Sequence, residues 1–135
     1  VLADAELIAF VPTVDLDRAL NFYQGVLGLP LTEETPSAAV FQMDGTMLRV
    51  SAVREVVPQP FTTLGWRVED IVDVVRWLTD RGARVNRYDG IDQDGLGIWT
   101  SPDGDRIVWF NDPDGHTLSV TQFSADPLAV NHVPE

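Results

Sequence analysis

Cysteine is absent from the 135 residues. That absence excludes disulfides, thiol nucleophiles and thiolate metal sites together. Lysine is absent too, and nine arginines stand against 21 acidic residues for a formal charge of −12. So acidic a surface repels phosphate backbones and anionic headgroups, so neither nucleic acid nor a membrane is expected as a partner. No apolar run approaches the roughly 18 residues needed to span a bilayer. The opening Val1-Leu2-Ala3-Asp4-Ala5-Glu6 has neither the basic start nor the long apolar stretch of a secretion signal, so a cytoplasmic location is the default expectation. The only histidines are His116 and His132, neither with a second His at ligand spacing. No Gly-x-Ser-x-Gly elbow supports a serine nucleophile. The glycines of Asp94-Gly95-Leu96-Gly97-Ile98 precede a strand rather than a helix N-terminus, so they form a loop and not a nucleotide cradle.

What the chain does contain, it contains twice. Asp15-Leu16-Asp17-Arg18-Ala19-Leu20-Asn21-Phe22-Tyr23, closing on Gly28, is echoed by Asp70-Ile71-Val72-Asp73-Val74-Val75-Arg76-Trp77-Leu78, closing on Gly82. Each copy follows an apolar, strand-like run and leads to extended segments that turn at Asp44-Gly45 or at Asp112-Pro113-Asp114-Gly115. With 44% hydrophobic residues the chain can bury one ordinary globular core, built from two half-domains.

In the first copy, Leu7-Ile8-Ala9-Phe10-Val11 reads as a strand stopped by Pro12. Asp15 stands at an N-cap position, Leu16, Ala19, Leu20 and Tyr23 fall at helical spacing, and Gly25 or Gly28 ends the helix. Residues 31–35 are an ambiguous extended stretch, and residues 41–43 and 47–52 form a hairpin about Asp44-Gly45. Val57-Pro58-Gln59-Pro60 cannot sustain a sheet ladder, which places a linker at residues 55–60 between module one (about 5–54) and module two (about 61–123). In the second copy, strands are expected at 63–68, 83–87, 98–100, 106–110 and 117–123, with a helix over 70–81 and an acidic, Gly-rich loop over 89–97. The tail, residues 124–135, carries two prolines and no periodicity.

Val14-Asp15-Leu16, Ala19, Phe22-Tyr23 and Val26-Leu27-Gly28-Leu29, followed much later by Phe110, Asp112-Pro113-Asp114-Gly115-His116 and Leu118, resemble the vicinal oxygen chelate superfamily. That superfamily includes glyoxalases, bleomycin-resistance proteins, extradiol dioxygenases, epimerases and fosfomycin-resistance enzymes. The resemblance implies an α+β fold of two βαβββ modules whose mixed sheets curl around a cavity, and a homodimer. In metal-dependent members a His in the first strand of a module and a Glu in its last strand hold a divalent ion. Carried over by spacing from the helix and turn motifs, those positions fall on Ile8 and Arg49 in module one and on Thr63 and Ser119 in module two. Isoleucine offers no donor, neutral hydroxyls offer little, and a guanidinium repels a cation, so no metal and no cofactor is expected.

Strand alternation extends the cavity-facing set from those positions to Phe10, Ser51, Gly65, Arg67 and Thr121. Trp66 alternates with that set and Trp77 lies on the helix, so both are expected in the core. Trp99 and Trp109 are either core residues or platforms for a planar ligand. Arg49 either pairs with a neighbouring acid, extends to solvent, or meets an anionic group of a bound molecule. His116 is expected to stabilise its turn. The expected function is therefore metal-independent binding of a small molecule, resembling the bleomycin-resistance proteins and sequestering a planar or amphipathic antibiotic or metabolite. The alternative is a glyoxalase-like lyase, isomerase or dioxygenase with a metal site not evident in the sequence.

Overall fold

The computed structural model describes residues 1–124, so His132 and nearly all of the tail lie outside the described residues. A single turn of 3-10 helix, Leu2–Asp4, precedes two copies of one topology. The first copy comprises β1 (Leu7–Thr13), α1 (Leu16–Leu20), β2 (Leu31–Thr35), β3 (Ala38–Met43) and β4 (Thr46–Ala52). The second comprises β5 (Thr62–Arg67), α2 (Ile71–Asp80), β6 (Trp99–Thr100), β7 (Arg106–Asn111) and β8 (Thr117–Gln122). Each copy makes a four-stranded mixed sheet, ordered β1-β4-β3-β2 and β5-β8-β7-β6. The first strand of each pairs in parallel with the last, and the other pairs are antiparallel. The described residues divide into two compact units, Val1–Pro58 with Asp112–Gly115, and Gln59–Asn111 with residues 116–124.

Local chemistry explains why the helices start and stop where they do. The carboxylates of Asp15 and Asp70 accept from the backbone N–H of Arg18 (3.1 Å) and Asp73 (3.2 Å), each satisfying a helix donor that has no intrahelical partner. Gly28 and Gly82 follow the two helical segments at φ +69° and +99°, a conformation that costs other residues a steric penalty. Beyond Leu20 the first helix widens into a π-helical turn, Asn21–Val26, in which Tyr23 is buried.

In the first unit, Val11, Ala19, Tyr23, Leu27, Phe41, Leu48 and Val50 are buried in the core. In the second, α2 turns Ile71, Val75 and Leu78 inward, at i, i+4 and i+7, with Val108, Phe110, Leu118 and Val120 of its sheet also buried. Those strand residues alternate with Ile107, Trp109, Thr117, Ser119 and Thr121, so one face of each sheet meets its helix and the opposite face is left for other work.

Three expectations are corrected. β1 does not stop at Pro12 but runs through it to Thr13; β1 is an edge strand of its sheet, where a residue without an N–H is tolerated. The strand expected at 83–87 is reduced to one bridge, Val85 with Phe110, and a 2.7 Å bond from Asn86 N–H to the Trp109 carbonyl. The counterpart of β2 is thus broken in two, and its later half, β6, pairs with β7 only at Arg106 and Ile107, with Trp99 also bridging to Gln93. Finally, Trp77 is not in the core: it is 44% exposed, outside the Ile71–Val75–Leu78 stripe, with the Arg81 guanidinium 4.5 Å from its ring centroid. Trp66 is half-buried on the helix side of β5.

Candidate ligand-binding faces

The segment that breaks the second copy's strand builds an aromatic wall. Trp109 of β7 lies between Tyr88, edge to face at 5.7 Å and 82°, and Trp99, tilted at 6.1 Å and 34°. Tyr88 is held by its surroundings: its N–H donates to Gln93 Oε1 (2.8 Å), and its hydroxyl accepts from Asn86 Nδ2 (3.1 Å). Gln93 Nε2 in turn donates to the carbonyls of Asn86 (2.9 Å) and Gly97 (2.8 Å). Arg87 forks onto the carbonyls of Asp94 (2.7 Å) and Gly95 (2.9 Å). Every bond in this set runs within residues 86–97, so the insertion is braced before any ligand arrives.

Tyr88 and Trp109 line a cavity of about 280 Å³ with Pro60, Phe61, Thr62 and Thr117. Aromatic and apolar side chains form most of its wall, and its side chains that can hydrogen-bond are Thr62, Thr117, Tyr88 and the indole N–H of Trp109. Thr62 and Thr117 are register partners across β5 and β8. A smaller hollow of about 240 Å³ lies against Gly65, Trp66, Arg67, Thr121 and Phe123, with the Arg67 guanidinium 5.9 Å from the Phe123 ring centroid.

Strand register shows how the residues singled out by sequence are arranged. In the first unit Phe10, Arg49, Val40 and Glu33 form one row across four strands. Ile8 pairs with Met47 in the next row, and Ser51 lies between Pro12 and Ala38 in the row beyond. In the second unit Gly65, Ser119 and Trp109 form a row, and Arg67, Thr121, Ile107 and Trp99 form another. A Cβ at Gly65 would come within 2.6 Å of Ser119 Oγ, so a side chain there would force the serine hydroxyl to turn. Thr63 falls at the register irregularity between Thr62 and Leu64 and so belongs to neither row. Tyr88, Phe61, Thr62 and Thr117 were not anticipated. An aromatic directly after the expected 83–87 strand was the available signal for Tyr88, and Phe61 at the end of the Pro-rich linker for the opposite wall.

Another group of polar residues serves structure. Tyr23 Oη donates to Asp112 Oδ2 at 2.7 Å. Burial raises this phenol's pKa well above the ordinary range, and the charges of Asp112 and Asp114 and the Asp112 hydrogen bond add to the effect. A phenol so held is a donor and not a base. Asp112 Oδ1 accepts from Asp114 N–H (3.0 Å), and Asp114 Oδ1 accepts from Val14 N–H (3.0 Å) and pairs with Arg18 at 3.4 Å. The Asp112–Gly115 turn is thereby fastened to the start of α1. His116, immediately after it, is buried, and its carbonyl accepts from Asn111 Nδ2 (3.2 Å).

The duplicated topology, with its first strand parallel to its last, matches one family. The model of the Glyoxalase/Bleomycin resistance protein/Dioxygenase superfamily matches residues 7–120. The chain belongs to this superfamily. Its fold is similar to that of a glyoxalase/bleomycin resistance protein/dioxygenase from Alicyclobacillus acidocaldarius, with 21% identity, a TM-score of 0.68, and coverage of 91% of this chain and 94% of that one. A glyoxalase/bleomycin resistance protein from Catenulispora acidiphila is similar at 24% identity and TM-score 0.69, over 88% of this chain and 98% of that one. A lactoylglutathione lyase from Agrobacterium tumefaciens is similar at 21% identity and TM-score 0.63, over 88% and 93%.

Membership of a superfamily that includes metal enzymes raises the question of donors. In this member, Ile8 and Arg49 in the first unit and Thr63 and Ser119 in the second supply neither imidazole nor carboxylate. Among the described residues no three His, Asp or Glu side chains converge in a way that would hold an ion. The donor set therefore does not fit a divalent metal, which requires about three or more such ligands. Among the same residues no helix is long and apolar enough to cross a membrane.

Proposed function

We propose that this superfamily member binds a small molecule without a metal, sequestering a planar or amphipathic antibiotic or metabolite in the manner of bleomycin-resistance proteins. The observation that carries the reading is the cavity of about 280 Å³ walled by Phe61, Tyr88 and Trp109. Its size, just below the usual range for ligand pockets, suits a body of one or two rings. Its aromatic walls offer stacking surfaces, and its threonine hydroxyls fix orientation. The proposal includes a homodimer, supported by the exposed apolar side chains Leu2, Leu7 and Val57. Sedimentation at micromolar concentration is expected to return a dimer.

Titration of the protein with a panel of planar antibiotics and metabolites tests the binding reading. Quenching of tryptophan fluorescence by at least one class, abolished in Trp109→Ala, is expected. Indifference to the whole panel would overturn the reading. Stoichiometric zinc, nickel, manganese or iron in protein purified without chelator would overturn the metal independence and favour a lyase, isomerase or dioxygenase.

A further inference from the structure

We infer that Arg49 recognises the carboxylate of a monoanionic ligand whose apolar body lies on Ile8, Phe10 and Met47; this rests on the small-molecule binding proposed above. Arg49 stands in mid-sheet on β4, on the face turned away from the buried Leu48 and Val50. Its cross-strand neighbours are Phe10 and Val40, neither of which can accept a hydrogen bond through its side chain. Glu33 continues the same row but lies two strands away, roughly 10 Å at the usual strand spacing. Among the described residues no ion pair, hydrogen bond or ring contact engages the Arg49 guanidinium. The side chain is nonetheless half-buried rather than extended into solvent. A charge that has lost part of its water and gained no partner is destabilised, and a ligand that supplies the counter-charge removes that cost.

The surroundings narrow the class of anion. Phe10 is 62% exposed and Ile8 44% exposed, so the guanidinium lies beside apolar surface open to a ligand's hydrocarbon body. The planar fork of arginine matches the two oxygens of a carboxylate. One guanidinium in a chain of formal charge −12 favours a monoanion over a doubly charged phosphate ester.

Isothermal titration with 1-naphthoate, its neutral amide 1-naphthamide and 1-naphthyl phosphate tests this, using wild type, Arg49→Gln and Arg49→Lys. Wild type is expected to bind naphthoate about tenfold or more tightly than naphthamide, the size expected of a charge-assisted pair. Arg49→Gln is expected to erase that preference, and Arg49→Lys to retain part of it, with the melting temperature of neither lowered. The Arg49 Nε resonance is expected to shift with naphthoate and not with naphthamide. Equal binding of acid and amide, an unaltered preference in Arg49→Gln, or tighter binding of the phosphate ester would overturn the inference. If neutral planar ligands quench tryptophan while charge makes no difference, the inference fails and the binding function stands. If no ligand of either kind binds, both fail.

Discussion

Tyr23 ties the first helical segment to the second half of the sequence. Its hydroxyl is buried against Asp112, 89 residues along the chain. Tyr23→Phe removes that bond and is expected to cost about 1–2 kcal/mol in urea unfolding. The pH dependence follows from the direction of the shift. Folding raises the phenol above its ordinary value of 10.0, so this contribution is complete below about pH 10 and is lost as the pH rises beyond it. Wild type is therefore expected to lose melting temperature more steeply than Tyr23→Phe between pH 9 and pH 11; parallel slopes would contradict it. Gly97 gives a second test at this scale. It holds φ +92°, and an added Cβ would lie 2.3 Å from Val85 Cγ1. Gly97→Ala combines backbone strain with overpacking, and a loss of about 3 kcal/mol in urea unfolding is expected. Tyr23 lines neither proposed ligand face, so its variant reports on the fold alone, whereas Gly97→Ala also disturbs the loop that braces Tyr88.

The elements that sequence reveals best are those whose signals are local. Asp15 and Asp70 mark helix starts because a short carboxylate must sit there to reach the third N–H, and Asp44-Gly45 marks a hairpin because glycine accepts its φ of +75°. Alternation also separates Gly65 and Arg67 from Trp66, and Arg49 from Leu48 and Val50. The broken strand was not legible. Residues 83–87 have strand-like composition, but Arg87 binds the carbonyls of Asp94 and Gly95, and Gln93 those of Asn86 and Gly97. Those partners all lie within residues 86–97 and are set by the path of the loop, which no periodicity records. Gln93→Ala tests what the brace does. It removes three hydrogen bonds around Tyr88, and faster amide exchange at Tyr88 and Gly97 is expected, with weaker tryptophan quenching by planar ligands. Unchanged quenching alongside faster exchange would show that Tyr88 is not part of the binding wall.

At the scale of the whole molecule, duplication gives the chain two sheets of one topology, and divergence gives them different open faces. The first carries Phe10, Arg49 and Ser51, and the second carries Trp99, Trp109 and the Thr62–Thr117 pair. Their common ancestry is legible in the repeated Asp-capped helices; the chemistry of each face emerges only once register aligns residues from separate strands. Net charge acts over both. At −12 the protein repels a monoanion across a Debye length of about 30 Å at 0.01 M salt, which falls to about 8 Å at 0.15 M. The half-buried guanidinium of Arg49 acts at short range and is screened less. Stopped-flow association of 1-naphthoate is therefore expected to accelerate as ionic strength rises between those limits, while that of 1-naphthamide stays constant. Association slowed by salt would mean that the field near Arg49 outweighs the acidic surface during approach, and that the anion is steered as well as held.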